Sequence, residues 1–121
     1  MLFQKTRPEE KRARFRADLK SGRLLKFPGA FYPLLAMHLE KAGFDGVYVS
    51  GGALSAALGL PDIGLTTLTE VAQTGNQIAR VTSLPTFIDA DTGFGEPMSA
   101  ARTIHLLEDA GLAGCHIEDQ V

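Results

Sequence analysis

The strongest constraint on how this chain can fold is a repeated order: four short apolar runs with a stretch of helical periodicity between each and the next. The runs occupy residues 24–27, 45–49, 86–89 and 114–119. Each is short and rich in aliphatic, β-branched or aromatic residues, as buried strands are. After the first come Leu34, Leu35, Met37, Leu39 and Ala42 at helical spacing, and before the third come Leu68, Val71, Ala72, Gly75, Ile78 and Ala79. Before the fourth, Ala101, Ile104, Leu107 and Ala110 repeat the pattern. The punctuation agrees with it. Pro33 and Pro97 suit first helical turns, Gly43 and Gly111 suit helix ends, and Thr67-Leu-Thr-Glu70 reads as a capping box. Strands that alternate with helices predict an α/β fold with a parallel sheet wrapped by helices.

Thr6-Arg-Pro-Glu9 reads as a further capping box, opening a helix that runs to Lys20 and stops at Ser21-Gly22. Phe15 and Leu19 give it a narrow apolar stripe, which predicts a helix lying outside the rest. The expected organisation is a single domain over 1–121, with a leading helix at 1–22 and β/α units over 23–121. Residues 1–26 carry nine of the twelve Lys and Arg against three acids. That basic helix lacks the aromatic platforms or motif that nucleic-acid binding needs, so it reads as a solvated face and no nucleic-acid partner is expected. No run of about 18 apolar residues exists and Met1-Leu-Phe-Gln-Lys-Thr-Arg has no apolar core, so no membrane partner is expected. With a single cysteine, Cys115, the chain has no internal disulfide and is expected in the cytoplasm.

The chemistry gathers at the carboxyl ends of the expected strands, where sites form in barrels and open α/β sheets. The 86–89 run leads into Asp89-Ala-Asp-Thr-Gly-Phe-Gly95. On a continuing strand Asp89 and Asp91 would face the same way, half of a site for a hard divalent cation such as Mg2+. Glu118, at the end of the next strand, completes the set. Such an ion would act as a Lewis acid on an enolate or 2-oxo acid oxygen. Ser50-Gly-Gly52 follows the second strand as a glycine-rich turn whose amides could receive an anionic oxygen, and Tyr48 shares a strand face with Ser50. Asp62 stands on a loop above the strand ends. His116 and Cys115 are adjacent and so face opposite ways, which rejects a nucleophile–base pair. His38 and His105 fall within helices and read as surface residues. No dinucleotide fingerprint or Walker-type phosphate loop is present.

With Val47-Tyr-Val-Ser-Gly-Gly52, Gly59-Leu-Pro-Asp62, Asp89-Ala-Asp-Thr-Gly-Phe-Gly95 and His116-Ile-Glu-Asp-Gln120 in hand, the chain resembles the isocitrate lyase and phosphoenolpyruvate mutase superfamily, most of all its 2-methylisocitrate lyase branch. The resemblance implies a (β/α)8 TIM-barrel type of fold, of which these residues supply about the first four β/α units. It implies Mg2+-dependent cleavage of 2-methylisocitrate, a tricarboxylic acid, to pyruvate and succinate in propionate breakdown, by a homo-oligomer that is a tetramer in the full-length family. It assigns Ser50, Gly51 and Gly52 to a substrate carboxylate, Tyr48 and Asp62 to the catalytic surroundings, and Asp89, Asp91 and Glu118 to the metal. The family's catalytic cysteine belongs to a Lys-Arg-Cys-Gly-His loop that this sequence does not contain, and Cys115 is no substitute. The 121 residues alone are therefore expected not to catalyse. Other superfamily activities, of the oxaloacetate decarboxylase, isocitrate lyase or phosphonomutase type, and a non-catalytic half-barrel are the alternatives.

Overall fold

A computed structural model describes residues 6–120. In chain order the elements are α1 (Pro8–Lys20), α2 (Pro33–Lys41), β1 (Val47–Val49), α3 (Gly51–Ala57), α4 (Leu68–Ala79), β2 (Thr86–Asp89), α5 (Pro97–Asp109) and β3 (Gly114–His116). The strands form one sheet in the order β1-β2-β3. Both pairings are parallel, as the expected alternation of strands with helices requires. Val47, Val49 and Ile88 turn to one side of the sheet and are buried with Leu54, Val71, Ile78, Leu107 and Leu112 from the helices and loops. Helix α4 lies very close to the sheet at Gly75, where a Cβ atom would sit 3.0 Å from Ile88 Cδ1.

The first expected strand, 24–27, does not form. That part of the chain runs beside β1 but makes one isolated parallel bridge, Gly29 with Tyr48. Tyr48 donates its N–H to Pro28 O at 3.0 Å, and Ala30 donates to Tyr48 O at 2.8 Å. Two features stop the ladder from extending. Pro28 has no N–H to give, and the N–H of Lys26 donates instead to the Asp45 carboxylate at 2.8 Å.

Helix α1 starts one residue later than its expected capping box. Pro8 takes the first helical position, which makes Arg7 the cap and brings Glu10 rather than Glu9 into play. The Glu10 carboxylate accepts from both the backbone N–H and Nε of Arg7, each at 3.1 Å. Its packing also differs from the expected Phe15–Leu19 stripe, for Leu19 is 60% exposed. Phe15 packs against Phe27 and Phe87, with ring centroids 5.1 and 6.0 Å away. Lys11 is buried and donates through Nζ to Ala79 O, the end of α4, at 2.6 Å. These contacts lay α1 across the amino-terminal end of the sheet, leaving the other end to the loops. No helix among the described residues is long and apolar enough to cross a membrane.

Candidate functional site

Strand alternation and parallel register decide which side chains meet. Tyr48 is opposite Phe87, and Asp89 is opposite His116, all on the sheet face away from the apolar core. Their rings form a triangular cluster: Phe87 and His116 lie nearly parallel, at 6° with centroids 5.9 Å apart, and the Tyr48 centroid is 6.4 Å from Phe87 and 5.9 Å from His116. The Tyr48 hydroxyl is 2.9 Å from His116 Nε2, and the tautomer of His116 sets which of the two donates. The same Nε2 is 3.7 Å from Asp89 Oδ1. Partial burial, and then the negative charges of Asp89 and Glu118, push the Tyr48 phenol above its usual range.

Asp89 is held from two sides. Its Oδ2 accepts from the N–H of Gly51 at 3.2 Å, and its Oδ1 from the N–H of Asp91 at 2.9 Å. Ser50 caps α3, accepting from Ala53 N, so the expected glycine-rich loop is instead the first turn of a helix. The glycines are there for closeness. A Cβ on Gly51 would lie 2.7 Å from Asp89 Oδ2, and one on Gly52 would lie 2.8 Å from Asp62 Oδ2.

Asp91 reaches the site by a different route from the expected one. The strand stops at Asp89, and Asp91 adopts φ +48°, a left-handed conformation that Asp tolerates better than most residues. Its carbonyl accepts from Glu118 N at 2.7 Å, tying the loop after β2 to the chain beyond β3. The outcome is one cleft of about 780 Å3, lined by the carboxylates of Asp62, Asp89, Asp91 and Glu118 together with Gly51, Ser55 and Phe94. Ligand atoms of Asp89, His116 and Glu118 lie within 4.8 Å of one another.

This donor set fits a hard divalent cation. It is rich in carboxylate oxygens, and the two N–H bonds to Asp89 leave further lone pairs on its oxygens free. His116 is the residue that sequence reasoning passed over, because only its relation to Cys115 was weighed. Alternation puts it on the face opposite Cys115, and the parallel register puts it beside Asp89. The expected 114–119 strand itself ends at His116, so Glu118 comes to the cleft from the loop beyond it, held by its N–H bond to Asp91 O. Cys115 turns into the partly buried packing around the core, and burial pushes its thiol up, away from reactivity. His38 and His105 are exposed on α2 and α5 and do not line the cleft.

The family profile described as phosphoenolpyruvate phosphomutase matches residues 15–121. The chain belongs to this family. It is 64% identical over 114 residues to "Probable 2-methylisocitrate lyase 2" of Corynebacterium glutamicum, covering 94% of this chain and 37% of that protein. With the 2-methylisocitrate lyase of Bacillus subtilis it shares 39% identity over 112 residues, 93% of this chain and 37% of that one. Among solved structures, phosphonopyruvate hydrolase in complex with oxalate and Mg++ superposes with a TM-score of 0.89 at 35% identity, over 92% of this chain and 39% of that one. A 2,3-dimethylmalate lyase, described as a PEP mutase/isocitrate lyase superfamily member, gives 0.86 at 34% identity, over 92% and 40%. The chain thus spans well under half the length of the relatives it matches. Within the family's barrel architecture, the three parallel strands and their helices are a partial (β/α)8 barrel.

Proposed function

We propose that this chain is the amino-terminal part of a Mg2+-dependent carbon–carbon lyase that cleaves 2-methylisocitrate to pyruvate and succinate, in the cytoplasm and as a homo-oligomer. The observation that carries the reading is the convergence of Asp62, Asp89, Asp91 and Glu118 on one cleft at the carboxyl end of a parallel sheet. The 64% identity to a protein named for this activity supports the choice of substrate. In this reading residues 1–121 act as one domain, with α1 closing the end of the sheet away from the site.

Asp89 would hold the ion directly, and Asp91 and Glu118 would hold it directly or through water. When bound, the ion supplies a Lewis acid that stabilises negative charge on the 2-oxo acid oxygen. The chain's own residues bind and orient. Gly51 N–H and one Ser50 lone pair are already engaged, by Asp89 and Ala53. The Ser50 O–H and the Gly52 N–H are then the donors left for a substrate carboxylate. Tyr48, with His116, holds a proton beside the Asp89 carboxylate. Asp62, exposed on the loop beside Gly52, adds negative charge to the cleft. The reaction breaks the bond between the hydroxyl-bearing carbon and its neighbour: the hydroxyl proton leaves to a base, the electron pair passes to the succinate carbon, and an acid protonates that carbon.

The test is pyruvate release by the full-length protein of which this chain is the amino-terminal part, coupled to lactate dehydrogenase, with 2-methylisocitrate or isocitrate as substrate. Pyruvate from 2-methylisocitrate that disappears with EDTA and returns with Mg2+ is the expected result. Glyoxylate from isocitrate at the higher rate, or turnover indifferent to EDTA, would overturn the reading. The likeness to phosphonopyruvate hydrolase gives a second reading, hydrolysis of a carbon–phosphorus bond, which phosphate release from phosphonopyruvate would reveal.

A further inference from the structure

The loop that carries Asp91 is an uncommon piece of backbone. Asp91 and Phe94 have φ of +48° and +60°, and Gly93 and Gly95 between and after them have +95° and +140°. Non-glycine residues in this region carry of order 1 kcal/mol or more of strain each, and persist only where the surroundings dictate the conformation. Two backbone bonds help: Gly93 N–H to Ala90 O at 2.9 Å, and Glu118 N–H to Asp91 O at 2.7 Å. The third hold comes from a side chain. Thr103 on α5, fully buried, places its hydroxyl 2.8 Å from Gly93 O and 3.0 Å from Ser99 O.

A mid-helix threonine ordinarily spends its proton on the carbonyl four residues back. Here the shorter contact is to the loop. Among the described residues it is the only side-chain donor outside 89–95 that bonds this loop's backbone. The helix surface around it is shaped to match: Gly93 fits so tightly that a Cβ would lie 3.0 Å from Ala100 Cβ, and a Cβ on Gly95 would lie 2.8 Å from Ser99 Cβ.

We propose that Thr103 is a positioning residue for the metal centre, fixing the Asp91 carboxylate in the cleft by fastening Gly93 to α5. The inference rests on the metal-binding reading above. Its test is Mn2+ affinity, followed by the loss of the free-ion EPR signal, in the full chain and its variants.

Thr103→Val, nearly the same shape without the hydroxyl, and Thr103→Ala are expected to weaken Mn2+ binding about 10-fold, the lower end of what is lost with a group that orients a metal ligand. Thr103→Ser keeps the hydroxyl and is expected within about 2-fold of the wild type. Should the valine variant fail to fold, the Ser and Ala pair still decides. Leu107→Ala, buried one turn further along α5, should lower the melting temperature and leave Mn2+ affinity alone. Equal affinity for the Ala and Ser variants would overturn the proposal, and so would an equal loss in Leu107→Ala, which would mean general loosening of the helix. Asp91→Asn separates the two ideas. If it weakens Mn2+ binding while Thr103→Ala does not, Thr103 alone is misassigned. If neither does, the metal reading fails and takes this one with it.

Discussion

The two ends of the sheet use the same electrostatics to opposite purposes. At the amino end the ammonium of Lys11 meets the last carbonyls of α4, bonding Ala79 O. At the carboxyl end the carboxylate of Asp89 meets the first N–H of α3, through Gly51. Each charge sits at the helix terminus of opposite polarity, as the backbone dipoles favour. What differs is access. Lys11 is 3% exposed, on the inner side of the same helix whose Phe15 packs against Phe27 and Phe87. The Asp89 side chain is 16% exposed and faces a cleft shared with three other carboxylates. A charge satisfied and covered docks a helix, whereas a charge only half satisfied and open to a cleft is available for chemistry.

That contrast can be broken by removing each charge in turn. Asp89→Asn should have the largest effect, lowering the turnover of the full-length protein by about 1000-fold or more, since it removes the proposed central ligand for the Lewis acid. Its melting temperature should change little, because the asparagine oxygen still accepts one of the two N–H bonds. A variant keeping a tenth of wild-type activity would show that Asp89 is structural, like Lys11. The reverse experiment is Lys11→Met, which keeps the apolar stem and leaves Ala79 O without its partner. Urea denaturation should register a loss of about 1–3 kcal/mol, with Mn2+ affinity unchanged. A fall in that affinity would mean that the closed end governs the open one.

How much of this was legible differs between the same two ends. The strands at β1, β2 and β3, the helices and the polar carboxyl end follow from local pattern: Pro33 and Pro97 at helix starts, the Thr67–Glu70 box, and alternation in 86–89. The amino end was less legible because it depends on contacts far apart in sequence. Nothing local to Lys11 announces that it will be buried against Ala79, 68 residues away. The failed strand at 24–27 was decided by Pro28 and by Asp45 taking the Lys26 N–H, a tertiary event. At the site, residue types were readable and routes were not. Asp91 was expected through strand alternation and arrives through a left-handed turn, while His116 needed the register between β2 and β3, which no single segment contains.

The smallest effect expected here is a shift in one proton. Burial and the neighbouring carboxylates of Asp89 and Glu118 raise the Tyr48 phenol above the ordinary value of 10.0. The phenol therefore stays neutral, and able to hold its bond with His116, to a higher pH than a free tyrosine would. A group whose pKa is raised on folding stabilises the fold fully below its unfolded pKa, and that contribution is lost as pH rises through the folded value. Tyr48 should thus help to destabilise the chain only above about pH 10. The 13C resonance of the Tyr48 ring, followed against pH, measures this directly. In Asp89→Asn the titration should move down, because one of the opposing charges is gone, yet remain above the ordinary value, because burial is the larger cause. An unmoved titration would mean that Asp89 and Tyr48 do not sense each other, and that the ring cluster is packing alone.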